Sequence, residues 1–126
     1  MGAKRFTDLK VWQSAHQAVL SVYRWTAEFP ANERYGMVTQ MRRSAVSVAA
    51  NIAEGFTRRT AKDRAHFYIV ARSSAEELKY YLILARDLSY PRESSDLEST
   101  IESTCAMLYR LIETVLGGNI QWGGRS

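Results

Sequence analysis

Cations dominate the side chains that could do chemistry here. Arg58, Arg59, Lys62 and Arg64 crowd into the run RRTAKDR with only Asp63 against them, and Lys4, Arg5 and Lys10 stand near the N-terminus. Such clusters attract phosphate or acidic protein surfaces. The asymmetry extends beyond the clusters. Residues 1–64 carry 11 Lys and Arg against 5 Asp and Glu, and the remaining residues 6 against 8. The chemistry on offer is therefore anion binding, and the expected ligand is RNA or DNA held by phosphate contacts without base specificity.

Catalytic constellations are missing by comparison. His16 and His66 have no partner at metal-ligand spacing, and neither HExxH nor CxxC occurs. Glu76, Glu77 and Asp87 form no ExxH pair of the kind that holds two irons in a helical bundle. No GxSxG is present, and Ser44 and Ser47 have no histidine nearby in sequence. Without a strand there is no strand-borne glycine loop for phosphate. No enzyme activity, metal or cofactor is expected. Tyr68, Tyr80, Tyr81 and Tyr90 have the rings to stack on bases, but at helical spacing they read as packing residues.

A second polar group lies in QMRRSAVSVAANIAEGFTRR, residues 40–59. At roughly 100° per residue, Gln40, Arg43, Ser44, Ser47, Asn51 and Glu54 fall within an arc of about 100°. This stripe reads as mainly structural, with Arg43 pairing with Glu77 and Glu54 pairing with Lys62 or Arg58. The opposite side of the same helix is apolar over roughly 200°, from Val38 and Met41 to Val46, Ala50 and Ala53. That is more than one small core requires. The surplus predicts a second hydrophobic contact, and another copy of the chain can supply it.

The elements that position these residues are helices. Two Pro and seven Gly are few for an all-β chain, and a 46% hydrophobic share excludes wholesale disorder. A first helix is expected over residues 8–28, capped by Thr7 or Asp8, with stripes Leu9, Trp12, Val19, Tyr23 and Val11, Ala15, Ala18, Val22, Trp25. A second runs over 35–55, with Asn32 as a cap and Gly55 at its C-terminus. A third spans 60–88, opened by Thr60 and Asp63. Its predicted seam is Phe67, Ala71, Ser74, Leu78, Tyr81, Ala85 and Leu88, with Ile69, Tyr80 and Ile83 turned away. A fourth covers 94–116, opened by Ser95 and Glu98. Leu97, Ile101, Cys105, Leu108, Ile112 and Val115 line it, and a glycine-rich tail, 117–126, is expected to be mobile. Together they predict one all-α domain, an antiparallel up-down-up-down four-helix bundle.

Three segments carry a family likeness: FTDLKVW (Phe6–Trp12), RYGMVTQMRRSAVSVAANIAEGFTRR (Arg34–Arg59) and ARSSAEELKYYLILARDL (Ala71–Leu88). They resemble the bacterial four-helix-bundle proteins first noticed as products of intervening sequences in 23S ribosomal RNA genes. The likeness covers roughly residues 6–90. It implies a homopentameric bundle whose biochemical role is poorly defined. A distant relative by fold is the accessory protein of diversity-generating retroelements, a basic pentamer that binds a reverse transcriptase and nucleic acid. The alternative function is accordingly a protein-interaction scaffold, or an accessory subunit of such an enzyme.

The remaining expectations concern location. Met1–Lys10 has no apolar core of the about 7–15 residues a signal peptide needs. No apolar run reaches the roughly 18 residues of a membrane span. The single cysteine, Cys105, has no partner for an internal disulfide. A cytoplasmic protein is expected.

Overall fold

The computed structural model describes residues 2–93 and 96–117. Its helices are α1 Lys10–Thr26, α2 Met37–Phe56, α3 Ala61–Asp87 and α4 Leu97–Val115, with short 3-10 turns at Phe6–Asp8 and Ala31–Glu33. No strand occurs among the described residues.

Contacts between helices fix their directions. Gly55 of α2 lies against Tyr68 of α3, and Ser44 and Ser47 reach Ser74 further along α3. Residue numbers fall on α2 as they rise on α3, so the pair is antiparallel. Lys79 meets Glu102 and Arg86 meets Glu98, which makes α3 and α4 antiparallel. Trp25 bonds the Pro91 carbonyl while Ser14 bonds Thr104, so α1 and α4 are antiparallel too. Helices α1 and α2 must then also run in opposite directions, and the bundle is up-down-up-down.

Periodic apolar positions meet at the centre. Val11, Ala15, Ala18, Val22 and Trp25 of α1 face Met41, Ala45, Val48 and Ile52 of α2, with Leu97, Ile101, Leu108 and Ile112 of α4 completing the core. The second predicted stripe of α1 is only partly used: Leu9, Trp12 and Val19 pack at the margin and Tyr23 is exposed. On α3, Ala71, Leu78 and Ala85 are buried as the seam requires. Tyr68, Ala75 and Leu82 replace Phe67, Ser74 and Tyr81 in the interior, and Leu88 is exposed. Two neighbours, α2 and α4, embrace α3, so its buried face lies between them and not along one heptad line. Cys105 is buried, and burial pushes its thiol above the usual range.

The helix ends depart from expectation in instructive ways. The first helix does not run from Asp8. The Asp8 carboxylate turns back to accept the backbone N–H groups of Lys4 and Arg5, each at 3.1 Å, and closes the Phe6–Asp8 turn. Leu9 is extended, and α1 begins after it. Glu33, not Asn32, serves α2: its Oε1 accepts the Met37 N–H at 3.2 Å, while Oε2 takes the Tyr90 hydroxyl. Gly55 lies inside α2 and is needed for proximity. A Cβ there would stand 2.7 Å from Tyr68 Cε1 and 3.2 Å from the Arg64 carbonyl. Thr60 Oγ1 accepts the Asp63 N–H at 3.1 Å, as its position predicts. Ser89 closes α3 in the left-handed region (φ 61°), and Tyr90 N–H returns to the Ala85 carbonyl at 3.0 Å. Glu93 Oε1 accepts the Leu97 N–H at the start of α4, and the predicted Ser95 cap lies outside the described residues. So does the predicted mobile tail beyond Gly117.

Candidate nucleic-acid interface

Topology brings the two basic clusters to one end. The α2–α3 turn stands where α2 finishes, and α1, antiparallel to α2, starts beside it. The Phe6–Asp8 turn packs against α2 accordingly. Lys4, Arg5 and Lys10 thus share an end of the bundle with Arg58, Arg59, Lys62 and Arg64, although more than forty residues separate the clusters in sequence.

The seven cations are not equivalent. Lys4, Arg5, Lys10, Arg59 and Lys62 are exposed and form no ion pair among the described residues. Arg58 is tied down: it pairs with Glu54, and its guanidinium lies 4.6 Å over the Phe67 ring. Arg64 is half-buried, with its Nε enclosed and without a hydrogen-bond partner. It lies near Tyr68, whose phenol burial pushes up while the Arg64 charge pulls it partly back. Nearby acids do little to cancel the free cations. Asp8 is held by backbone amides, Glu54 is engaged by Arg58, and Asp63 stands in the first turn of α3, where the helix N-terminus favours a negative charge.

The polar stripe of α2 splits. Its inner edge forms a network with α3: Ser44 Oγ donates to the Ser74 carbonyl at 2.9 Å, Ser47 and Ser74 hydroxyls meet at 2.8 Å, and Asn51 Nδ2 donates to the Ser47 carbonyl at 2.8 Å. Glu77 accepts the Tyr81 hydroxyl at 3.3 Å. Burial of the Tyr81 phenol, and after it the Glu77 charge, pushes that phenol up. The outer edge faces solvent: Gln40 and Arg43 are exposed, and the predicted Arg43–Glu77 pair does not form. Ser44, next to Arg43, takes the inward position in its place. The sequence reading missed the hub, Ser74, by treating it only as a seam residue. A serine on α3 facing two serines one turn apart on α2 was the available signal. Arg42 is also spoken for. Its Nε donates to Thr26 Oγ1 at 2.9 Å, and its guanidinium lies 4.5 Å over the Tyr23 ring.

Other candidate sites are poorer. A concavity of about 710 Å³ lies at the opposite end, lined by Trp25, Tyr90, the paired Arg86 and Glu98, and Arg92 and Glu93, so that two cations stand against two acids. Among the described residues, no three His, Cys, Asp or Glu side chains are grouped to hold a metal ion. None of the described helices is long and apolar enough to cross a membrane.

The family described as 23S rRNA-intervening sequence protein matches this chain over residues 7–110. No curated protein matches it.

Proposed function

The chain belongs to the 23S rRNA-intervening sequence protein family, and from that premise we propose that it is a non-enzymatic, self-assembling cytoplasmic bundle that binds RNA or DNA through phosphate contacts. The observation that carries this reading is the cluster of five exposed, unpaired cations at one end, contributed by two distant segments. Unpaired like charges held together repel one another and destabilise the folded chain. A polyanion removes that cost. The ligand is read by its charge, without base specificity, because a phosphate contact carries no sequence information.

Self-assembly is supported by exposed apolar side chains on two faces. Val46 and Leu20 lie on α2 and α1, and Ile69, Tyr80 and Ile83 on α3. Repeating the basic end around a ring multiplies weak contacts into avidity. The homopentamer implied by the family likeness is the assembly proposed, and light scattering at micromolar concentration checks it.

The test of binding is RNA affinity against salt concentration. Four or five phosphate contacts per subunit give a log–log slope of about −4. A flat salt response removes this reading. A pull-down with and without nuclease separates it from a protein scaffold, since a scaffold keeps its partner after nuclease treatment.

A further inference from the structure

The cluster of five exposed cations and the most exposed aromatic rings lie toward opposite ends of the bundle, although Arg24, Arg34 and Arg92 are exposed on the side of the rings. Tyr35, 87% exposed, stands in the α1–α2 connection, and Tyr23 lies near the end of α1. Tyr80 sits about 28 Å along α3 from its first residue, at about 1.5 Å per residue. The rings near the cations are engaged internally. Phe6 meets Trp12 edge-on at 5.3 Å, and Trp12 stacks on His16 at 4.9 Å. Phe67 lies beneath Arg58 and beside His66, and Tyr68 is buried against Gly55.

Proteins that grip single strands combine a cationic groove with rings on which successive bases stack. This end has the cations while its described rings are used for packing. A duplex presents no unstacked bases, but it offers one phosphate charge per about 1.7 Å of axis, drawn from two strands. The cations likewise come from two places: Lys4, Arg5 and Lys10 precede or open α1, and Arg59 and Lys62 lie at the α2–α3 turn and the start of α3, a helix that does not touch α1, so the two groups stand apart across the bundle end. They can meet both strands at once.

We propose that the basic end takes the backbone of double-stranded, structured nucleic acid and discriminates against single strands, with Lys4, Arg5, Lys10, Arg59 and Lys62 as the contacts. This inference rests on the phosphate-binding reading of the same end and narrows its ligand.

Fluorescence anisotropy of the full chain with a labelled RNA hairpin stem and a labelled unstructured homopolymer, matched in phosphates and salt, tests it. The expected result is at least about tenfold tighter binding of the stem, by its higher charge density. The variant Arg59→Glu with Lys62→Glu should lose the stem while keeping its helical spectrum. Tyr35→Ala with Tyr80→Ala should leave stem affinity within about twofold, since duplex contacts go to phosphates. Equal or tighter binding of the homopolymer overturns the duplex preference and leaves phosphate binding standing. Binding of neither RNA overturns both.

Discussion

The two ends of this bundle spend their charge differently. At the end holding the α1–α2 and α3–α4 connections, charged and polar groups close the structure, while Arg24, Arg34 and Arg92 stand exposed outside those contacts. Glu33 caps α2 and takes the Tyr90 hydroxyl, Trp25 Nε1 donates to the Pro91 carbonyl at 2.7 Å, Arg42 ties α2 to α1, and Arg86 pairs with Glu98. At the end holding the N-terminal arm and the α2–α3 turn, five cations face solvent without an ion pair. Arg58 stays exposed but is paired with Glu54, and Arg64 is half-buried. Charge used in folding is unavailable for a ligand. Charge left in solution within a Debye length of its own sign, about 8–10 Å, repels until something neutralises it.

Substitutions can break this contrast. The largest effect on stability should come from Gly55→Ala, because the new Cβ collides with the buried Tyr68 ring and presses on the Arg64 carbonyl. A loss of about 2–3 kcal/mol is expected, read by urea unfolding. The closed end should lose about 2 kcal/mol on Glu33→Ala, which removes the acceptor of both Met37 N–H and the Tyr90 hydroxyl. RNA affinity should not change. If Glu33→Ala weakened RNA binding without lowering the melting temperature, the division of labour between the ends would be wrong.

Alkaline pH sharpens the same comparison. Burial raises the Cys105 thiol above its ordinary 9.0, and the phenols of Tyr68, Tyr81 and Tyr90 stand above their ordinary 10.0. For Tyr90 the chief cause is its hydrogen bond to Glu33. The unfolded chain releases these protons first, so the folded state holds more protons and stability falls as pH rises through this range. Melting temperature should therefore decline from pH 9 upward and more steeply beyond pH 10. Glu33→Ala should soften the second decline. A melting temperature that stayed level to pH 11, about one unit past the ordinary phenol value, would contradict these shifts.

A smaller change, of opposite sign, is expected at Ser89. A left-handed φ of 61° favours glycine, so Ser89→Gly should stabilise by about 0.5 kcal/mol. The smallest effect belongs to the basic end: Arg59→Ala and Lys62→Ala should each alter stability by less than about 0.5 kcal/mol, because neither side chain touches a partner.

Much of the fold was legible in single-helix patterns. The face of α4 from Leu97 to Ile112, the Thr60 cap and the outward turn of Ile69, Tyr80 and Ile83 all follow from spacing within one helix. Features that depend on what lies opposite were not. Gly55 looked like a helix terminator because its real constraint, the Tyr68 ring, sits on another helix. Arg43 looked buried beside Glu77 until Ser44 was seen to hold the inward position. The break at Leu9 was hidden because Asp8 reaches back to Lys4 and Arg5 and not forward into α1. Of the basic clusters, the sequence names all seven cations as candidates. It did not separate the five free ones from Arg58, held by Glu54 and Phe67, and the half-buried Arg64.

The central claim is that phosphate is bound at one end only. The direct measurement is the salt slope of RNA binding for two double variants, Arg59→Ala with Lys62→Ala at the open end and Arg24→Ala with Arg34→Ala toward the closed one. All four side chains are exposed, and each pair removes two positive charges. At about 0.9 per lost phosphate contact, the open-end variant should flatten the log–log slope by about 2, while the other keeps the parent slope. Equal slopes for the two variants would contradict the account.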